Sequence, residues 1–173
     1  MKNILPLLIS AAILCGLCSC SQTIPPTPPD TLTSQRVINT YQKALTGDAE
    51  SLYYVGLFYL TGKNGFPQDN RLGANALEMA AKAGHQEAMI FIGKCYEAGL
   101  GRFDNDSMAL YYYKKAADSG YADGKKHYQR LSEILRQEEA AARARAQQNW
   151  NQAASEYNRI MGSSGFVTMP YMD

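Results

Sequence analysis

The side chains that could hold a metal ion or act in catalysis are few and widely separated in this sequence. Those of most interest are His85, His127, Cys95, Asp104 and Asp106. A calcium loop beginning at Asp104 would need a third oxygen ligand where Met108 stands, so a helix-capping role is favoured for the two aspartates. The histidines and Cys95 are too scattered to indicate zinc. The sequence contains no Gly-x-Ser-x-Gly, no phosphate-binding loop and no motif of paired catalytic carboxylates, and it therefore predicts a non-enzymatic protein without a cofactor.

A different chemistry is indicated at Cys20. Lys2 precedes an apolar run from Ile4 to Leu14, which is too short for a bilayer core of about 30 Å and is typical of a secretory signal. The run ends in Leu17-Cys18-Ser19-Cys20, which resembles the bacterial lipobox. The resemblance implies that residues 1–19 are a lipoprotein signal peptide. It also implies that the Cys20 thiol carries a diacylglycerol and that its freed amine can take a third acyl chain, such as palmitate.

Two or three acyl chains hold a protein firmly on a membrane, whereas a single chain holds it marginally. Ser21, rather than aspartate, follows the anchor. By resemblance to enterobacterial sorting, this implies a lipid-anchored protein of the bacterial outer membrane that faces the periplasm. The alternatives are an ordinary signal peptide or an uncleaved anchor. Within residues 20–32, the proline-rich stretch from Ile24 to Asp30 predicts either an extended polyproline spacer or a disordered tether.

Charge and cysteine content narrow the possible partners. The formal net charge is +1, so no long-range field favours nucleic acid or a strongly charged substrate. After cleavage and acylation Cys95 is the one remaining thiol, so no intrachain disulfide can form. Cys95 is then either a thiol that pairs between molecules or, as the alignment of repeats favours, a small buried apolar residue.

From Gly47 onward the chain nearly repeats itself. Residues 47–62 align with residues 84–99, and Ala80-Ala81-Lys82-Ala83-Gly84 aligns with Ala116-Ala117-Asp118-Ser119-Gly120. Apolar residues in each half keep helical spacing, and glycine-rich turns separate the halves. A period of this length predicts helix pairs that bury their apolar faces by stacking on neighbouring pairs. Gly56 and Gly93 fall in mid-helix, where we expect the small Ala80-Ala81 and Ala116-Ala117 pairs to approach them closely.

The fixed positions of the repeat resemble the Sel-like repeat family, which is related to the tetratricopeptide repeats. In the second unit they are Ala88, Gly93, Tyr96, Gly99, Asp106, Ala109, Ala116, Ala117 and Gly120. In the first unit they are Ser51, Gly56, Tyr59, Gly62, Asp69, Gly73, Ala80, Ala81 and Gly84, with Ser51 and Gly73 in place of the usual alanines. The resemblance covers residues 47–120, and it implies a solenoid that binds proteins or peptides.

The predicted fold class is all-α: a short right-handed α-solenoid of helix-turn-helix repeats with a long C-terminal capping helix. The repeat domain is assigned to residues 33–135, including a lone helix ahead of Gly47 and a degenerate third unit that starts at Tyr121. A C-terminal helix follows over residues 136–161, and a break near Asn149 is left open. Residues 162–173 are expected to form a flexible tail.

The resemblance to tetratricopeptide geometry also implies which residues of each first helix face the binding groove. From these positions we select Tyr53, Leu57, Ile90, Lys94, Lys126 and Arg130 as candidate binding residues. The groove would have an apolar end next to the three cations Lys94, Lys126 and Arg130. Such a groove could hold a peptide whose carboxylate contacts the cations. The alternative is an ordinary solvated face of mixed charge.

Two classes of function remain. The first is a non-enzymatic envelope lipoprotein that acts as a scaffold or adaptor, with an envelope protein or peptide as its partner and the membrane reached through the lipid anchor. The second is a peptidoglycan-acting enzyme or an activator of a cell-wall enzyme.

Overall fold

The computed structural model describes residues 24–25, 28–32 and 34–161, and every regular element in this part of the chain is an α helix. The helices are α1 (Gln35–Leu45), α2 (Ala49–Thr61), α3 (Asn70–Lys82), α4 (Gln86–Glu97), α5 (Asp106–Asp118) and α6 (Ala122–Met161). Each helix packs mainly on its neighbours in the chain, most extensively within the pairs α2–α3 and α4–α5. The predicted all-α solenoid with a long C-terminal helix is confirmed. Cys20, the signal peptide of residues 1–19 and the tail of residues 162–173 lie outside the described residues.

The helices begin where short polar side chains satisfy the free backbone N–H groups of the first turn. Asp48 accepts a hydrogen bond from the Ser51 backbone N–H at 2.9 Å. Asp69 caps α3 in the same way, and Asn105 caps α5. The aspartates that flank Asn105 therefore belong to a helix start, as the sequence predicts. His85 caps α4, because its Nδ1 accepts from the Ala88 N–H at 3.2 Å.

Glycine in the left-handed region ends α2 and shapes the turn between α4 and α5. Gly62 has φ 63° and its N–H donates to the Phe58 carbonyl, which closes the last turn of α2. Gly101 has φ 68°, and a Cβ atom there would overlap the Asn70 carbonyl oxygen. The turn of the second repeat can therefore pack directly on the start of α3 because residue 101 has no side chain.

The mid-helix glycines allow close packing, but not against the residues predicted from the sequence. A Cβ atom at Gly93 would lie 2.5 Å from the Tyr113 ring, and one at Gly56 would lie 2.8 Å from Leu77. The expectation that Ala116-Ala117 faces Gly93 is wrong, since that alanine pair lies against Gly124 of α6. The register differs because Tyr113 lies one helical turn before Ala116-Ala117 and its ring fills the space that Gly93 leaves.

The N-terminal segment contacts the first helices. Ile24 and Leu32 are buried, and the Tyr41 hydroxyl donates a 2.6 Å hydrogen bond to the Pro25 carbonyl. Thr31 donates to the carbonyl of Gly65 in the turn between α2 and α3. The described residues of this N-terminal segment therefore contact α1 and the turn between α2 and α3.

Helix α6 has two parts. Its first part packs on α5 through the buried Gly124 and Leu131 and the half-buried Tyr128 and Leu135. From residue 136 onward nearly every side chain is exposed, and the helix continues through Asn149 without a break. Glu139 and Arg143 form an ion pair at 3.4 Å on this exposed part. Among the described residues, no helix has the length and hydropathy needed to cross a membrane.

Candidate functional site

The six candidate binding residues lie on α2, α4 and α6, the first helices of successive units. Lys94, Lys126 and Arg130 are exposed and Leu57 is half-buried. Tyr53 and Ile90 retain only 8% and 5% of their exposure, so both contribute mainly to packing. The role of the six residues in binding stays a prediction, but the structure separates those that are accessible from those that form the wall beneath them.

Arg130 is already engaged by a carboxylate of the same chain. Its Nη2 lies 2.6 and 2.7 Å from the two carboxylate oxygens of Glu97, and the Tyr113 hydroxyl donates to the same carboxylate at 2.9 Å. Burial acts to raise the pKa of Glu97, but the hydrogen bonds from Arg130 and Tyr113 outweigh it and hold that pKa below its usual value. A partner's carboxylate would have to displace Glu97, so Arg130 is a poor anchor for one.

Two of the three predicted cations remain available. Lys94 lies with its Nζ 5.2 Å from the centre of the Phe91 ring, a cation–π contact that holds the ammonium at the surface. Lys126 is exposed on α6. Burial lowers the pKa of the nearby His127, and the charges of Lys94 and Arg130 lower it further. Lys94 and Lys126 therefore leave two accessible positive charges on this part of the first-helix face.

An open pocket of about 460 Å³ lies at the other end of the same face, where α2, α4 and α6 begin. It is lined by Glu50, Tyr53, Tyr54, Gly84, His85, Gln86, Glu87 and Tyr121, and we call it the aromatic–acidic pocket. The Tyr53 and His85 rings are stacked with their centres 4.5 Å apart, and the Tyr54 ring lies 5.4 Å from Tyr53. The Tyr121 hydroxyl lies 3.5 Å from Glu87 Oε1.

The local sequence explains why these side chains gather. The left-handed backbone of Gly84 turns the chain from α3 into α4, and the capping bond to Ala88 fixes the His85 ring against Tyr53. Tyr121 stands directly before α6, at the position that capping residues Asp48 and His85 occupy before α2 and α4. Burial and a hydrogen bond to Glu87 raise the pKa of Tyr53 to about 12, so the tyrosine stays protonated and donates.

Sequence reasoning identified only part of this pocket. Of its lining residues, Tyr53 is among the six candidates predicted from the sequence, whereas Tyr54, His85 and Tyr121 are not. A signal for Tyr121 was present, because an aromatic residue stands there in place of a capping residue. The contribution of His85 could not be deduced, because its ring is positioned by tertiary stacking on Tyr53.

The other chemistry-bearing side chains do not form a site. Among residues 24–25, 28–32 and 34–161, no three of the metal-binding residue types lie close enough to hold an ion. Cys95 is buried, and burial raises the pKa of its thiol to about 11, so it is unreactive at neutral pH. This placement agrees with the interpretation of Cys95 as a small apolar core residue.

Comparison with known proteins identifies the repeated part of the chain. Residues 49–85 and 86–121 each match the Sel1 repeat family. The chain is 31% identical over 85 residues to mouse cytochrome c oxidase assembly factor 7, and 33% identical over 78 residues to the chitin synthase regulator SKT5 of Malassezia restricta. Each match covers 44% of this chain but only 36% and 5%, respectively, of the relative.

A solved structure shows the same architecture. The crystal structure of a Sel1 repeat protein from Oxalobacter formigenes superimposes with a TM-score of 0.50 at 31% sequence identity. The superposition covers 52% of this chain and 67% of that protein. Helices α2 to α5 span the two matched repeats, and together with the structural likeness this identifies them as a Sel1 repeat pair.

Proposed function

The chain belongs to the Sel1 repeat family, and from this premise we propose that it is a lipid-anchored scaffold that binds a protein or peptide of the bacterial envelope. Sel1 repeat proteins are generally protein-interaction scaffolds or regulators, and the two relatives are named as an assembly factor and a regulator. Scaffolding of this kind generally involves no catalysis by the repeats themselves. The anchor at Cys20, the outer membrane and the periplasmic orientation are the finer parts of the proposal, and they depend on the lipobox resemblance.

The observation that carries the proposal is the first-helix face of α2, α4 and α6. Stacked repeats present such a face continuously. Some side chains along this face bind each other, as Arg130 and Glu97 do. Others, such as Lys94 and Lys126, are exposed to solvent. Side chains that are exposed, chemically varied and carried on rigid helices are suited to binding a partner.

The geometry favours binding over a direct role in peptidoglycan cleavage. Glu50 and Glu87 line the same pocket, but both are exposed to solvent. A catalytic acid needs a carboxyl group that its surroundings keep protonated near neutral pH, which requires shielding from water. We therefore expect no cell-wall hydrolysis by the purified protein in a zymogram.

Site-directed photo-crosslinking in intact cells tests the scaffold proposal. A crosslinking amino acid at Leu57 or Lys94 should capture one and the same protein, and the charge reversal Lys126→Glu should reduce the yield. The matched control places the crosslinker at Lys114, which is exposed on the second helix α5 and forms an ion pair with Asp118. Equal capture at position 114, or a yield that Lys126→Glu leaves unchanged, would refute binding through the first-helix face.

A further inference from the structure

The aromatic–acidic pocket brings together partly exposed aromatic rings and carboxylates that form no ion pair among the described residues. Rings of Tyr53, Tyr54, His85 and Tyr121 form its walls, and the carboxylates of Glu50 and Glu87 stand at its edge. Three helix starts contribute to it, so its shape depends on the stacking of successive repeats and not on a mobile loop. Its volume of about 460 Å³ lies in the range of pockets that accept a small ligand or a side chain.

The rings expose surfaces that attract cations. Aromatic faces carry partial negative charge, and a cation within about 6 Å of a ring centre is attracted to it. A contact of this kind is present within the chain on α4, where the Lys94 ammonium lies over the Phe91 ring. In the pocket, Tyr54 is 43% exposed and is held beside Tyr53, so part of the aromatic surface is open to an incoming group.

The carboxylates of the pocket have no ion-pair partner among the described residues, whereas two glutamates elsewhere on the solenoid have one. Glu78 and Glu97 are both bound by arginine. Glu50 and Glu87 are in no ion pair, and the groups that influence Tyr121 by charge are the acidic Glu87 and Asp123. The pocket also has no lysine or arginine in its lining. Its electrostatic character is therefore negative.

Stabilisation of helix starts explains only part of this arrangement. Acidic residues in a first turn interact favourably with the positive end of the helix dipole, and Glu50, Glu87 and Asp123 all occupy such positions. That effect does not require aromatic rings. The Tyr121 hydroxyl nevertheless approaches Glu87 across 34 residues of chain, which brings an aromatic wall and a carboxylate together at one opening.

We propose that the aromatic–acidic pocket binds the cationic side chain of an arginine or lysine in the partner protein. The cation would lie against the exposed Tyr54 ring and form charge-assisted hydrogen bonds to Glu50 and Glu87. This inference rests on the proposed scaffold function, and it assigns the pocket a ligand opposite in charge to the peptide carboxylate expected from the sequence. A carboxylate would be repelled there, and it would be accommodated at Lys94 and Lys126 instead.

The two ends of the face then define the recognised segment. Glu87 and Lys94 are seven residues apart on α4, which corresponds to about 10 Å along the helix. A partner segment with a basic residue and an acidic residue at about that separation would satisfy both ends at once.

The chain provides an internal control for the experiment because it contains two histidines, His85 in the pocket and His127 beside Tyr113. The full chain, purified in detergent with labelled histidine, is titrated with N-acetyl-arginine amide and followed by NMR. We expect saturable shifts of the His85 ring signals and unchanged His127 signals. N-acetyl-citrulline amide, which has nearly the same shape but no charge, should bind about tenfold more weakly or not at all.

Substitutions complete the test. The double variant Glu50→Gln/Glu87→Gln should lose most of the arginine affinity, whereas the control Glu133→Gln, which removes an exposed carboxylate of α6, should not. Unchanged His127 signals in each variant report that the fold is intact. Equal binding of the citrulline compound, or an equal loss in the control variant, would overturn the inference. Either result leaves the scaffold proposal to the crosslinking experiment, which does not depend on this pocket.

Discussion

The Arg102 guanidinium lies 2.7 Å from the Glu78 carboxylate and ties the two repeats together. Glu78 belongs to α3 of the first repeat and is only 3% exposed, whereas Arg102 belongs to the turn between α4 and α5 of the second. Lys82 and the Tyr112 hydroxyl also contact this carboxylate, at 2.9 and 3.3 Å. A buried charge is tolerated at the interface because three groups compensate it.

Replacing Arg102 should destabilise the solenoid more than replacing an exposed arginine. Arg102→Ala removes one of the groups that compensate the buried Glu78, so we expect a loss of about 2–4 kcal/mol in the free energy of unfolding. Arg136→Ala is the matched control, because Arg136 pairs with Glu133 at the surface and should contribute less than about 1 kcal/mol. Urea denaturation of both variants measures the difference, and equal losses would show that the inter-repeat pair is not special.

The same carboxylate should make stability depend on pH in the acidic range. Burial acts to raise the pKa of Glu78, but hydrogen bonds from Lys82 and Arg102 bring it below its ordinary value of 4.5. A group whose pKa is lowered by folding contributes stability above its unfolded pKa and loses that contribution as the pH falls through the folded value. The stability advantage of the wild type over Glu78→Gln should therefore shrink below about pH 4.5. Denaturation at a series of pH values tests this, and a constant difference would contradict it.

The sequence predicts the helices well because particular positions allow few residue types. Gly62 must take a left-handed conformation and Asp69 must cap α3, so both mark helix boundaries directly. Arg102 could not be assigned to the interior, since turn residues are expected at the surface and only its tertiary contact with Glu78 buries it. The pairing of Arg130 with Glu97 likewise joins residues far apart in the chain, which periodicity does not reveal.

Replacing Gly93 with even the smallest side chain should destabilise the protein. In an ordinary helix interior, alanine is more stable than glycine by about 1 kcal/mol. Here a Cβ atom would lie 2.5 Å from the Tyr113 ring, so we expect Gly93→Ala to lose about 1–3 kcal/mol instead. A double-mutant cycle provides the control. In a Tyr113→Leu background the penalty should shrink, and a penalty of the same size would mean that another contact causes it.

Cys20 should be the residue that attaches the protein to the membrane. The lipobox resemblance predicts that Cys20→Ala abolishes acylation and membrane fractionation. Metabolic labelling with an alkyne fatty acid measures the first effect, and Cys18→Ala, two residues earlier, is the matched control that should keep its label. Label that persists on the Cys20 variant would exclude this residue as the anchor.

The two parts of α6 should differ sharply in their contribution to stability. Leu131 is 3% exposed and packs on the solenoid, whereas Trp150 on the distal part is 49% exposed. We expect Leu131→Ala to cost about 2–5 kcal/mol and Trp150→Ala less than about 0.5 kcal/mol. Thermal melting followed by circular dichroism compares the two variants, and similar losses would mean that the distal part has a packing partner.

Removing the whole distal part of α6 should likewise have little effect on stability. A chain that ends after Gln137 keeps Gly124, Tyr128, Leu131 and Leu135, through which α6 packs on the other helices. The removed residues are mostly exposed, so the remaining solenoid should melt within a few degrees of the full chain while total helix content falls. If the distal helix instead folds back over the first-helix face, truncation would lower the melting temperature and increase binding of the capped arginine. An unchanged melting temperature together with lost partner capture would assign the partner contact to the distal helix itself.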